Sequence, residues 1–264
     1  MSIVEADDGC RLFYDAKGRG TPLVLIPGLG GDGRFWAGVE QHLKELFRLI
    51  TVDHRGAGRS DRPEGAYSID RIAKDVVCIL DAEGVDAAHM VGHSTGGTVV
   101  QALALDAPKR AKSLTISGSW ARPDARFRAL FSARFELMKK GEVEAYQNLT
   151  HVLGYPPQWI AANENALAAA VASAAASLAP FAVTASRIRM LLDFDRSAEL
   201  ETITQPVLLI GARDDTMIPF DRTEELACLI PHATVSEITG GHFYPRVDPQ
   251  AFAHRVAEFV ANKS

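Results

Sequence analysis

The chain predicts an α/β fold on a parallel sheet, and three observations carry that reading. Short buried apolar runs alternate with helix-length segments through the first third of the sequence. The pentapeptide Gly92-His93-Ser94-Thr95-Gly96 sits where one such strand turns into a helix. The rhythm stops between Ser119 and about Arg196 and then resumes. With 264 residues, 47% of them hydrophobic and 23% charged, the chain can bury a sizeable core. The organisation expected is one domain, residues 1–118 and 197–264, carrying a helical insertion over 119–196.

Ile3 to Glu5 and Arg11 to Tyr14 read as a hairpin around Asp8-Gly9, and Pro22 to Ile26 as a buried strand. Phe35 to Leu46 follows as a helix, Phe47 to Val52 as a strand, and Ser68 to Glu83 as a helix opened by the Ser68/Asp70 signal. Ala87 to Val91 is a short strand, and Thr98 to Leu105 repeats apolar residues at helical spacing until Pro108. Ala111 to Ser117, Pro206 to Ile210 and Ala233 to Glu237 are further strands, closed by the amphipathic helix Pro249 to Asn262. Inside the insertion, the alanine-rich Ala161 to Ala179 before Pro180 reads as packed helix rather than linker, because alanine is the best helix former. Trp120, Phe127, Phe131, Phe135, Tyr146, Tyr155 and Trp159 could line a substrate pocket, although most aromatics on helices fill cores. Trp120, Phe131, Phe135, Tyr155 and Trp159 are the candidates for lining a substrate pocket.

A net charge of −5 gives no footprint for nucleic acid. Cys10, Cys78 and Cys228 lie far apart, which indicates neither a zinc site nor a disulfide framework, and fits a reducing compartment. The first residues lack a basic and apolar leader, and no apolar stretch reaches the roughly 18 residues of a membrane span. The expectation is a cytoplasmic monomer or homodimer acting on a small molecule, with no cofactor, metal, nucleic acid or membrane partner.

Chemistry gathers at Ser94. A random chain of this length would contain such a pentapeptide about one time in ten, so its strand-turn-helix context is what gives it weight. A serine hydroxyl needs a base, and that base needs an acid to fix its tautomer. One of the known chain orders of such a triad places the acid and then the histidine after the serine. His242, in Gly240-Gly241-His242-Phe243 after the last strand, is the candidate base. The remaining histidines have structural explanations: His42 lies on a helix, His89 near a strand, His54 and His93 beside motifs, and His151, His232 and His254 on expected surface. The loop Gly211 to Pro219 offers Asp214 and Asp215. Counting three from Gly211 picks Asp214 and counting four back from Pro219 picks Asp215; Asp215 is preferred, with Asp214 as a cap or partner of Arg213. Oxyanion donors would be the amides of Thr95 and of Leu29, in the glycine-rich loop 27–33. That loop carries neither dinucleotide nor Walker fingerprints.

With Pro27-Gly28-Leu29-Gly30-Gly31, Asp53 to Ser60, Gly92 to Gly97, Asp215 and Gly241-His242 in this order, the chain resembles the α/β-hydrolase superfamily. The resemblance implies an eight-stranded, mostly parallel sheet flanked by helices, with a helical cap after the sixth strand, and a structural turn at Asp53 to Ser60. The chain looks like the branch of aminoacrylate hydrolases and 3-oxoadipate enol-lactone hydrolases, with Tyr155 to Asn163 and Arg213-Asp214-Asp215 similar to the aminoacrylate group in particular. The expected activity is cleavage of an ester, lactone or related acyl bond of a small carboxylic substrate through an acyl-enzyme. Enamine or amide hydrolysis and carbon-carbon bond hydrolysis are the enzymatic alternatives, and a ligand sensor on the same scaffold is the alternative of another class.

Overall fold

Eight strands form one sheet in the computed structural model, which describes residues 2–262. They are β1 (Ser2–Glu5), β2 (Arg11–Lys17), β3 (Pro22–Ile26), β4 (Arg48–Val52), β5 (Ala88–His93), β6 (Ala111–Ser117), β7 (Val207–Ala212) and β8 (Thr234–Ile238). Their order is β1-β2-β4-β3-β5-β6-β7-β8, antiparallel at β1–β2 and β2–β4 and parallel at every other pair. The expected architecture is borne out. At the hairpin between β1 and β2, Gly9 takes φ +82 and the Asp8 carboxylate accepts from the Cys10 amide at 3.2 Å.

Among the described residues eleven α-helices accompany these strands: α1 (Ala37–Leu43), α2 (Ile69–Ala82), α3 (Thr95–Asp106), α4 (Ala125–Lys139), α5 (Val143–Gly154), α6 (Pro157–Ala162), α7 (Glu164–Ser177), α8 (Phe181–Asp193), α9 (Phe220–Leu229), α10 (Tyr244–Val247) and α11 (Pro249–Ala261). Two cores lie on opposite faces of the sheet, and strand periodicity feeds both. In β3, Leu23 and Leu25 pack with Trp36, Phe252 and Val256 on the α1/α11 face, while Val24 and Ile26 pack with Ile72, Val99 and Leu103 on the α2/α3 face. Every residue of the central β5 and of β7 is buried, which explains the unbroken apolar run of β7, while in β5 the buried His89 and His93 meet Ser113 and Ser117 at 2.7 and 3.0 Å. Helices α4 to α8 lie between β6 and β7 and extend the α2/α3 core through Phe127, Phe131, Tyr146, Val183 and Ile188.

The expected helix Phe35 to Leu46 divides into a 3-10 turn, Gly33–Trp36, and α1. Gly33 donates to Asp53 and Arg34 to Asp32, each at 2.8 Å, and these bonds fix the tighter entry. The alanine-rich segment likewise breaks at Asn163 between α6 and α7, where the Asn163 side chain donates to the Trp159 carbonyl at 2.8 Å. No helix among the described residues is long and apolar enough to cross a membrane, and Cys10, Cys78 and Cys228 are unbridged.

Candidate active site

The C-terminal ends of β5, β6 and β7 converge, as open parallel sheets require of their ligand sites. Ser94 follows β5 with φ 56 and ψ −120, the one positive φ outside glycine among the described residues. The turn is tight because three backbones crowd there. A Cβ on Gly92 would lie 2.1 Å from the Gly96 carbonyl oxygen, and one on Gly96 would lie 2.1 Å from that of Ile26. Side chains at 92 and 96 are therefore excluded, and the serine between them is forced outward. Its amide donates to the Ser117 carbonyl at 2.7 Å, which fixes the turn to β6, and its residue stays 8% exposed. Helix α3 starts at Thr95, fully buried, and its first turn is tied to the serine by the Gly97 amide donating to the Ser94 carbonyl at 2.9 Å.

His242 and Asp215, 1% and 4% exposed, meet with Nδ1 2.7 Å from Oδ2. An ionised carboxylate only accepts, so Nδ1 carries the proton and Nε2 holds the lone pair. Asp215 Oδ1 accepts from the amides of Met217 and Ile218, both at 2.8 Å, leaving the second oxygen aimed at the ring. The imidazole lies 4.9 Å, centroid to centroid, from that of His93, the residue preceding Ser94. No hydrogen bond joins the Ser94 hydroxyl to the imidazole among the described residues; such bonds often close only around a bound substrate.

Asp214 caps backbone amides and does not pair with Arg213. Its carboxylate accepts from Gly240 at 3.1 Å and Gly241 at 3.0 Å, holding the loop that bears His242, while Arg213 pairs with Glu237 at 2.8 Å instead. The two neighbouring aspartates thus grip the same loop, one through backbone amides and one through the ring. A third support lies beneath. Tyr244 donates to the Ile210 carbonyl at 2.9 Å, so Ser117 donates to Tyr244 at 2.7 Å and in turn accepts from His93 Nδ1 at 3.0 Å. Burial holds His93 well below the usual histidine range, so it stays neutral, with Nε2 free of hydrogen-bond partners.

Leu29 lies in a turn closed by Gly31 donating to Gly28 at 2.9 Å, and a Cβ on Gly28 would come within 3.2 Å of the Ser94 Cβ. Of the aromatic candidates, Tyr155 and Trp159 stack at 4.0 Å, and Tyr155 meets Phe243, beside His242, edge-on at 4.9 Å. Trp120 packs on Phe127 at 4.5 Å and Phe127 on Phe131 at 4.3 Å. Phe135, only partly buried, packs against the same core and meets Phe181, which is 41% exposed. His151, expected on the surface, is buried in the last turn of α5, with Gln147 2.8 Å from its Nε2. Thr95 Oγ1, Ser119 Oγ and Trp120 Nε1 are buried polar atoms without partners, gathered around the turn and the end of β6. Among the described residues no group of three or more histidine, cysteine or acidic side chains is placed to hold a metal ion.

The chain belongs to the α/β-hydrolase fold family, whose model matches residues 21–245. Within that family it is similar to "Putative carbamate hydrolase RutD" of Caulobacter segnis, 37% identical over 264 residues that cover 98% of this chain and 99% of that protein. Among solved structures, Est816, described as an N-acyl homoserine lactone degrading enzyme, is 28% identical with a TM-score of 0.85 and coverage of 98% and 100%. The enol-lactonase of Burkholderia xenovorans has a TM-score of 0.90 at 23% identity, covering 98% and 100%, a likeness of fold.

Proposed function

We propose that this α/β hydrolase is a serine hydrolase that cleaves the acyl bond of a small carbamate, ester or lactone. Ser94 attacks the carbonyl carbon while His242 Nε2 takes the hydroxyl proton, and Asp215 steadies the imidazolium. The amides of Leu29 and Thr95 receive the oxyanion. Collapse breaks the bond to the leaving group, which departs with the proton from His242. Water then attacks the acyl-serine by the same route, releasing the acid fragment and restoring the hydroxyl. The observation that carries this reading is the buried hydrogen bond from His242 to Asp215 beside a serine held in a strained turn.

The helical insert acts as a cap over this chemistry, with Tyr155, Trp159 and Trp120 as its walls. The unpartnered Ser119 hydroxyl and Trp120 indole suit a substrate with a polar end. Likeness to the RutD relatives along nearly the whole chain supports a carbamate, and likeness to Est816 supports a lactone or ester. A fluorophosphonate should label Ser94, and Ser94→Ala should lose hydrolysis of p-nitrophenyl acetate. Full turnover in that variant would sink the mechanism. Comparing kcat/KM on a p-nitrophenyl carbamate, p-nitrophenyl acetate and a γ-lactone, with products identified by mass spectrometry, separates the substrate classes.

A further inference from the structure

We propose that Arg187, on helix α8 of the insert, is a positioning residue for the oxyanion loop: it orients Leu29 only while the insert is seated on the sheet. The proposal rests on the reading of the Leu29 amide as an oxyanion donor. Arg187 is buried, yet its guanidinium meets no carboxylate among the described residues. Nη2 donates to the Leu29 carbonyl at 2.6 Å and Nη1 donates to the Arg55 carbonyl. Burial draws its pKa down to about 10, a sign of how much hydration it forgoes. Nearby His54 cannot balance the charge, because burial and then Arg187 itself keep that imidazole neutral. A cation buried against main-chain carbonyls is a poor source of stability. What it supplies is direction.

The direction matters because of where Leu29 sits. The bond from Gly31 to Gly28 closes a β-turn whose central residues are Leu29 and Gly30. The middle peptide of such a turn can face either way, and that choice separates the two commonest turn types. The carbonyl of this peptide is the one Arg187 holds, so the guanidinium fixes the ψ of Leu29, and the Leu29 amide, in the preceding peptide closed by the Gly31 bond, is tied to the same anchor. The turn's own hydrogen bond leaves the Leu29 amide unused. Gly31, at φ +67, makes the approach feasible, since a Cβ there would lie 2.6 Å from Arg187 Nη2. The preceding residue extends the same strap: Ser186 accepts from the Tyr67 amide at 3.1 Å and donates to the Gly65 carbonyl at 2.8 Å. Lifting α8 would release all four bonds at once and let the turn, with the Leu29 amide on it, shift relative to Ser94.

Arg187→Met and Arg187→Lys test this on p-nitrophenyl acetate, with a trifluoromethyl ketone as the probe that forms a tetrahedral adduct. In Arg187→Met, kcat should fall about tenfold or more with KM within about threefold, and ketone affinity should fall by the same factor as kcat. The lysine variant should recover part of both. Failure of fluorophosphonate to label Ser94 in the parent would sink the serine reading itself. Normal labelling together with unchanged kcat and ketone affinity in a folded Arg187→Met would overturn the role of Arg187 alone, as would a rise confined to KM. If neither variant folds, hydrogen exchange on the parent decides: ketone binding should slow exchange in residues 28–33 and 183–191 together, and slowing in the loop without α8 overturns the proposal.

Discussion

Helices α3 and α7 are both poor in charge and rich in small residues, yet they live in opposite environments. All ten residues from Thr95 to Ala104 are buried, whereas in α7 only Ala174 is buried among the described side chains. Local preference makes both segments helical, and topology decides what each is for. The first is pinned between strands β5 and β6 on one side and helix α2 on the other, so small residues there permit close approach. The second lies on the outside of the insert, where alanine supplies helix and little else.

The sharpest break in that comparison is at the buried helix's first turn. Ser94→Ala should lower kcat about 10^4-fold or more with the fold intact, measured on p-nitrophenyl acetate. Gly96→Ala, which drives a Cβ into the Ile26 carbonyl, should cost about 3 kcal/mol or more of unfolding free energy in urea titrations. Acid should attack the same region next. His54 and His93 are buried with depressed pKa values, so the unfolded chain binds more protons than the folded one below pH 6.5. Their contribution is fully present above pH 6.5 and is lost as pH falls below it, by about 1.4 kcal/mol per unit for each histidine. Thermal melts at fixed salt from pH 7.5 to 5 should show this fall, and a folded His54→Gln should show a shallower one. Asp214→Ala should lower kcat about tenfold, because the Gly240 and Gly241 amides that hold the His242 loop then lose their acceptor. Ala172→Gly in α7 should be the mildest, about 1 kcal/mol at most, with kcat unchanged.

Much of the fold was legible because backbone sterics leave a mark in composition. Gly92 and Gly96 are glycines for want of space, and alternating Leu and Val in β3 reports two covered faces. Asp215 could be picked from the sequence, but the work of Asp214 could not, since its partners Gly240 and Gly241 lie 26 and 27 residues downstream in a loop whose shape only folding sets. Arg187 did leave a signal. It falls on the apolar face of α8 with Val183, Ile188 and Leu191, where a charge needs a reason. The break at Asn163 and the burial of His151 depend on packing within the insert, where alanine carries little positional information.

The left-handed backbone at position 94 carries one more implication. Ser94→Ala retains the unfavourable torsion, whereas Ser94→Gly relaxes it, so between two inert proteins the glycine form should melt at the higher temperature despite its looser denatured chain. Heat tolerance and reactivity are thus set against each other at a single residue, and selection for the one alone would erase the other.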